Sequence, residues 1–326
     1  MLSSEVVDFE GKVRSHDQRG LARVLSMVEN GHPLAASILH SLYNPERSCL
    51  TIGITGPPGA GKSTLTNRLI THYRRHGNEV GVIAVDPSSP FSGGALLGDR
   101  VRMQDHASDP GVFIRSMANR GHLGGLSGTT RDALEVLTAA SYDPVIVETM
   151  GVGQAEVEIA SLADITLLVL VPGLGDEVQT MKAGIMEIGD IIVLNKADRP
   201  GMELLEISVC ASLDLIPDQA DRPPVIRCSA QTGEGVAELT DAIVHCASSG
   251  TMRKATMRRR ATLILNSIIR EKGKELAEKL ILDRYGSVED AIESILDGMT
   301  TPYWIGEMLS GFFKNKRENE NECKRD

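Results

Sequence analysis

The residues Gly56-Pro57-Pro58-Gly59-Ala60-Gly61-Lys62-Ser63 constrain this chain more than any other stretch. They fit the pattern G-x-x-x-x-G-K-[ST] and lie between an apolar β-branched run, Leu50 to Thr55, and a helical stretch that extends to about His76. A loop of this kind works where a strand ends and a helix opens. Its glycines then let successive backbone N–H groups converge on phosphate oxygens, and the helix N-terminus adds a favourable partial charge. Lys62 is expected to reach the β and γ phosphates, and Thr64 follows as a further loop contact. Ser63 supplies a hydroxyl for Mg²⁺, a hard cation that takes oxygen ligands in octahedral geometry.

The same strand-then-helix rhythm continues along the chain. Short runs rich in β-branched residues at Leu50–Thr55, Val80–Val85, Val112–Arg115, Val145–Glu148, Ile165–Val171, Ile191–Asn195 and Val225–Cys228 alternate with helical stretches. This predicts an α/β fold, a doubly wound and mostly parallel sheet with helices on both faces. Before it, Leu21, Val24, Leu25 and Val28 form one helical stripe, followed by a break at Gly31-His32-Pro33 and a second apolar piece, Leu34 to Leu42. After Gly250 strand signals cease, and Met252–Leu282, Val288–Leu296 and Pro302–Phe312 read as helices ahead of a polar tail. The expected organisation is a helical leader over 1–46, a nucleotide-binding domain over 47–250, and a helical arm with a disordered tail over 251–326.

Composition narrows the partners. With 34 Lys and Arg against 44 Asp and Glu, the net charge of −10 repels nucleic acid and anionic membranes, so neither is expected as a partner. The longest apolar run, Ile165–Val171, falls far short of the ~20 residues a membrane helix needs. Met1 to Asp17 is acidic and lacks the apolar segment of a secretory signal, so a cytoplasmic location is expected unless a presequence has been removed. Five cysteines without a C-x-x-C pair or a nearby histidine argue for plain thiols rather than a disulfide or zinc framework.

Asp86 ends the second predicted strand, Glu148 ends the fourth, and Asp99 lies in the Gly-rich loop Ser92–Arg102. Any one of them is an ordinary solvated carboxylate. Three around one phosphate loop, at the edge where open α/β sheets bind ligands, point with Ser63 to a metal and water site. Asn195-Lys196-Ala197-Asp198 fits N-K-x-D. Its carboxylate can accept from both the ring N–H and the exocyclic amine of guanine, a donor pair adenine lacks, so GTP and GDP are favoured over ATP. Ser229-Ala230 follows the next strand, where a backbone N–H meets the guanine carbonyl.

Gly151 stands three residues after Glu148, where a γ-phosphate would order the loop through a backbone N–H. Gln154 and Asp99 are both candidates to activate the attacking water. Pro172 to Gln179, with Lys182, is a further Gly-rich segment, read equally well as a plain loop with a helix start at Asp176. The basic run Arg253, Lys254 and Arg258 to Arg260 is first a solvated face and second a partner or dimer surface.

With these segments assembled, the chain resembles the methylmalonyl-CoA mutase-associated GTPase family, also called MeaB or ArgK-like, over roughly residues 18 to 312. The stretches that carry the likeness are Val85 to Gly94 with Leu97 to Arg100, Arg115 to Leu126, and Glu148 to Gln154. The resemblance implies a homodimeric G-protein chaperone that uses GTP and Mg²⁺. Its partner would be an adenosylcobalamin-dependent acyl-CoA mutase whose cofactor is loaded, protected and renewed. It also implies Asp86, Asp99 and Glu148 near Mg²⁺, switch loops around Asp99 and at Glu148–Gln154, and a third loop, Gly173–Lys182, that couples to the partner. Thr180 stands in that loop where the family usually has glycine. GTP hydrolysis is expected to be slow until a partner stimulates it. A competing reading is a metallochaperone GTPase that delivers nickel or a related ion, which calls for a His-rich tract where this chain has eight scattered histidines. A third is a transport-associated ATPase or kinase, against which Asn195 and Asp198 argue.

Overall fold

The computed structural model describes residues 4–44, 49–87, 106, 108–119, 128–149, 155–173, 186–216 and 222–248, and beyond these 262, 265, 273–274, 276–297, 299–301 and 305. The chain divides into two compact units, Met1–Arg260 and Ala261–Asp326.

The first unit opens with three helices. α1 (Ser4–Arg14) falls within the expected 1–46 leader, ahead of its two apolar-periodic stretches. It buries only Val6, Phe9 and Val13, and this i, i+3, i+7 stripe is enough to seat a short helix on a neighbour. Its outer side carries the i, i+4 pairs Asp8–Lys12 at 2.5 Å and Glu10–Arg14 at 2.9 Å. α2 (Gln18–Glu29) starts at Asp17, whose side chain accepts from the Arg19 N–H at 3.1 Å. Its expected stripe, Leu21, Val24, Leu25 and Val28, is buried throughout, each side chain contributing about 1.5–3 kcal/mol of burial. α3 (Ala35–Leu42) follows the break at residues 31–33.

All seven expected strands form, and they make one parallel sheet. They are β1 (Thr51–Thr55), β2 (Val80–Pro87), β3 (Val112–Asn119), β4 (Val145–Thr149), β5 (Ile165–Leu170), β6 (Ile191–Leu194) and β7 (Val225–Arg227), in the order β3-β2-β4-β1-β5-β6-β7. The helices between them are α4 (Lys62–Arg75), α5 (Gly128–Ala139), α6 (Ala155–Leu162), α7 (Met202–Leu213) and α8 (Val236–Ser248).

Side-chain alternation sends each strand's residues to two cores. Ile52, Ile54, Leu167, Val169, Ile191 and Val193 pack with α4 and α8 on one face. On the other, Ile83, Val85, Val145 and Val147 pack with α5, α6 and the three leader helices. On that second face Leu168, Leu170, Ile192 and Leu194 meet α7. The leader therefore shares a core with the sheet.

In the second unit the clearest element is α9 (Val288–Leu296), capped by Ser287, whose hydroxyl accepts from the Asp290 N–H at 2.9 Å. Its position matches the expected helix. Among the described residues no helix is long and apolar enough to cross a membrane.

Candidate functional site

β1 is the middle strand, and the loop that leaves its carboxyl end turns into α4 at Gly61. The backbone there leaves no room for side chains. Gly56 has φ 138°, and a Cβ on it would lie 2.2 Å from the Val169 carbonyl oxygen of β5. Gly61 has φ 86°, and its Cβ would lie 2.6 Å from Asn195 Nδ2. Only glycine combines this dihedral with so close an approach. Pro58 and Gly59 form the exposed tip, Ala60 is buried, and Thr64 is exposed on the first turn of α4. Lys62 is 6% exposed, and its Nζ donates to the carbonyls of Gly56 at 2.6 Å and Pro57 at 2.9 Å. The ammonium thus lies inside the curl of the loop.

Glu148, near the end of β4 and opposite Ile54 of β1, is 4% exposed. Both its oxygens are held from α4: Ser63 Oγ donates to Oε1 at 2.5 Å and Thr66 Oγ1 donates to Oε2 at 3.0 Å. A hydroxyl and a carboxylate in contact beside a phosphate loop are an all-oxygen pair of the kind a magnesium ion takes. Asp86 belongs to the next strand out, two residues beyond Ala84, which is Glu148's partner in the sheet register. Asp99, Gly151 and Gln154 lie outside the described residues, as do Thr180, Lys182 and the third loop beyond Gly173.

The base motif folds back onto the phosphate loop. Asn195, 1% exposed, donates from Nδ2 to the Ala60 carbonyl at 2.8 Å and accepts at Oδ1 from the Ala230 N–H at 3.0 Å. Lys196 adopts φ 61°, and its Nζ donates to the Gly59 carbonyl at 2.6 Å. Asp198 is exposed, and its Oδ1 accepts from the buried Ser229 hydroxyl at 2.5 Å. That hydroxyl first, then the residue's own backbone amide, holds the Asp198 carboxyl below the usual carboxylate range. The aspartate is therefore an acceptor at neutral pH, as reading a pair of N–H donors requires.

The structure thus brings together the loop 56–64, Glu148, the 195–198 motif and Ser229-Ala230, with Asn195 reaching Ala60 across 135 residues of sequence. Two participants escape sequence reading. Thr66 grips Glu148, and Arg68 donates to the Ala230 carbonyl at 2.8 Å and the Gln231 carbonyl at 2.5 Å. Both sit in the helix after the phosphate motif at positions no motif letter marks. Among the described residues no group of three His, Cys, Asp or Glu is arranged as a metal site, and Cys49, Cys210, Cys228 and Cys246 form no disulfide.

The model of a family described as methylmalonyl Co-A mutase-associated GTPase MeaB matches residues 21–281. A putative GTPase of Pyrococcus horikoshii is 52% identical over 236 residues, 71% of this chain and 74% of that protein. The GTPase ArgK of Escherichia coli is 38% identical over 244 residues, 72% of this chain and 73% of ArgK. Among solved structures, one described as a LAO/AO transport system kinase is similar at a TM-score of 0.69 with 26% identity, covering 96% of this chain and 99% of that one.

Proposed function

The chain belongs to the methylmalonyl-CoA mutase-associated GTPase family, and from that premise we propose a G-protein chaperone that assists loading, protection and reactivation of an adenosylcobalamin-dependent acyl-CoA mutase. The observation that carries the nucleotide half is the Asn195 amide, which joins Ala60 of the phosphate loop to Ala230 of the base turn and so fixes one nucleotide-length site. In this reading the amides of residues 56–64 and the Lys62 ammonium bind the phosphates. Asp198 reads the ring N–H and amine of guanine, and the Ser229-Ala230 turn reads its carbonyl.

Ser63 and Glu148, with Asp86 and Asp99, would hold Mg²⁺ through oxygen atoms and bound waters. Such an ion supplies neutralisation of the charge that develops on the phosphate oxygens. The chain's own residues orient the phosphate chain against the water, with Gln154 or Asp99 positioning that water and Gly151 sensing the γ-phosphate. Turnover is slow alone, because an arginine finger supplied by a partner adds ~10³ to 10⁵ in rate.

A homodimer completes the reading. On α9 the apolar Val288, Ile292 and Leu296, spaced four apart, are 45%, 44% and 72% exposed, and Met299 just beyond is 82% exposed. Such a stripe suits burial against a second copy. The deciding experiment is capture of partners from native extract on the chain loaded with GDP or with a slowly hydrolysed GTP analogue. An acyl-CoA mutase is expected, held at least tenfold better in one state and accelerating hydrolysis when added back. Equal capture in both states with no acceleration rejects the chaperone role.

A further inference from the structure

Arg68 leaves α4 six residues after Lys62, ~9 Å along the helix axis, too far along to serve the phosphates. Its Nε donates to the Ala230 carbonyl at 2.8 Å and its Nη2 to the Gln231 carbonyl at 2.5 Å. The turn gripped this way is gripped from its other side too, where the Ala230 N–H donates to Asn195 Oδ1 at 3.0 Å. Asn195 in turn donates to Ala60, two residues before Lys62. The bonds close a ring: from α4 through the guanidinium to the turn, through Asn195 to the phosphate loop, and back into α4. Within the ring Ser229 also holds Asp198 at 2.5 Å.

A guanidinium is well suited to this task. It stays charged at every working pH, and its planar fork can meet two adjacent carbonyls at once. Charge-assisted bonds of this kind are about twice as strong as neutral ones. Nothing in the ring touches a nucleotide through Arg68 itself. What the ring sets is the distance between the phosphate cradle and the 229–231 turn. The Ser229 N–H donates to the Glu234 carbonyl and the Ala230 N–H to Asn195 Oδ1, so the N–H left in the turn to meet position 6 of the purine is that of Gln231. Guanine presents a carbonyl there and adenine an amine, so an N–H held firmly at that position donates to the first and is repelled by the second. A turn free to recede would tolerate both.

We propose that Arg68 is a positioning residue for base selection, holding the 229–231 turn so that it discriminates guanine from adenine at the purine 6-position. The inference rests on the guanine reading of Asp198 and Ser229-Ala230 given above. Asp198 selects at the amine; Arg68, through the turn, selects at the carbonyl.

The test compares the full chain with Arg68→Met, which keeps the stem and removes the donors, and with Arg68→Lys. Affinities for GDP, IDP and ADP are measured by calorimetry, with kcat and KM for GTP and thermal melting alongside. Arg68→Met is expected to weaken GDP and IDP together by about tenfold to a hundredfold. ADP is weakened less, so the GDP-to-ADP preference shrinks while the GDP-to-IDP ratio, which reads the amine, stays put. The loss falls on KM rather than kcat, and Arg68→Lys recovers part of the preference. A GDP-to-ADP ratio within twofold of the parent in folded Arg68→Met overturns the proposal, even if the melting temperature drops, because the arginine is then only a brace. Should Arg68→Met not fold, the ratio in Arg68→Lys decides by the same criterion. A parent chain with no guanine preference would sink the base reading itself, a result distinct from a failure of Arg68 alone.

Discussion

Replacing Asn195 by alanine removes a side chain that is 1% exposed and serves two buried backbone groups, the Ala60 carbonyl and the Ala230 N–H. Ala60 is 0% and Ala230 2% exposed, so neither group gains an easy route to bulk water. A buried polar group stripped of its partner costs about 1–3 kcal/mol. Two such groups, partly relieved by a water entering the space of the lost amide, give about 3 kcal/mol. For a folded unit of this size each kcal/mol moves the melting temperature by about 2–4 °C, so Asn195→Ala should melt about 6–12 °C lower. The same change separates the phosphate loop from the base turn, so GDP affinity should fall as well. Melting curves with and without saturating GDP, together with GDP titration, measure both. Asn195→Asp sharpens the test: it keeps the acceptor for Ala230 but sets an oxygen against the Ala60 oxygen, and should lose at least as much as alanine. Melting within about 2 °C of the parent and unaltered GDP affinity in Asn195→Ala would show that the clasp is not what joins the two loops.

Three further outcomes are expected. Gly56→Ala places a methyl 2.2 Å from the Val169 carbonyl, a backbone atom that cannot swing aside, and should yield protein that neither folds stably nor binds nucleotide; soluble, GDP-competent material contradicts this. Asp198→Asn should shift preference from GTP toward xanthine nucleotides, because the amide offers a donor to a carbonyl where guanine has an amine; retained GTP preference in competition binding removes the base assignment. Arg74 donates two hydrogen bonds to the Asp109 carboxylate, each at 2.8 Å, and through them the Asp109 carboxyl is held below its ordinary value. A carboxylate with a depressed folded-state pKa adds stability that is complete above its unfolded pKa of ~3.9 and is lost as pH falls through the folded value. Urea titrations should therefore show Arg74→Met weaker than the parent at pH 6, and the gap closing towards pH 3. A gap of constant size across that range is the contrary result.

The strands were legible because each is a run of β-branched and aliphatic residues bounded by turn formers, as in Val80–Val85 and Ile165–Val171. Their ends were less so. β3 continues four residues past Arg115 to Asn119, carried by backbone pairing to β2 that the mixed run Ser116-Met117-Ala118-Asn119 does not announce. α1 lies within the expected leader but shows no apolar stripe that stands out in the sequence, because its charges outnumber the three apolar residues that seat it. The phosphate loop and the 195–198 motif were legible as spacing, since their chemistry demands fixed residue types. Thr66 and Arg68 were not. A threonine or an arginine in a helix is ordinary until the fold sets Glu148 or the Ala230 carbonyl opposite it. Periodicity likewise marked the buried stripe of α2 but not the sheet and α5 that cover it.

The strand order sorts the labour of the molecule. Outward from β1 in one direction come β4 and β2, bearing Glu148 and Asp86, and in the other come β5, β6 and β7, which lead to the 195–198 and 229–231 loops. Among the described residues the leader helices share a core with Ile83, Val85, Val145 and Val147 of the first flank. In the function proposed above, a cut that deletes the segment before residue 49 would thus bare the underside of the wing bearing Glu148 and Asp86 and leave the wing bearing Asn195 and Asp198 clothed, making the amino-terminal segment a footing for hydrolysis more than for recognition.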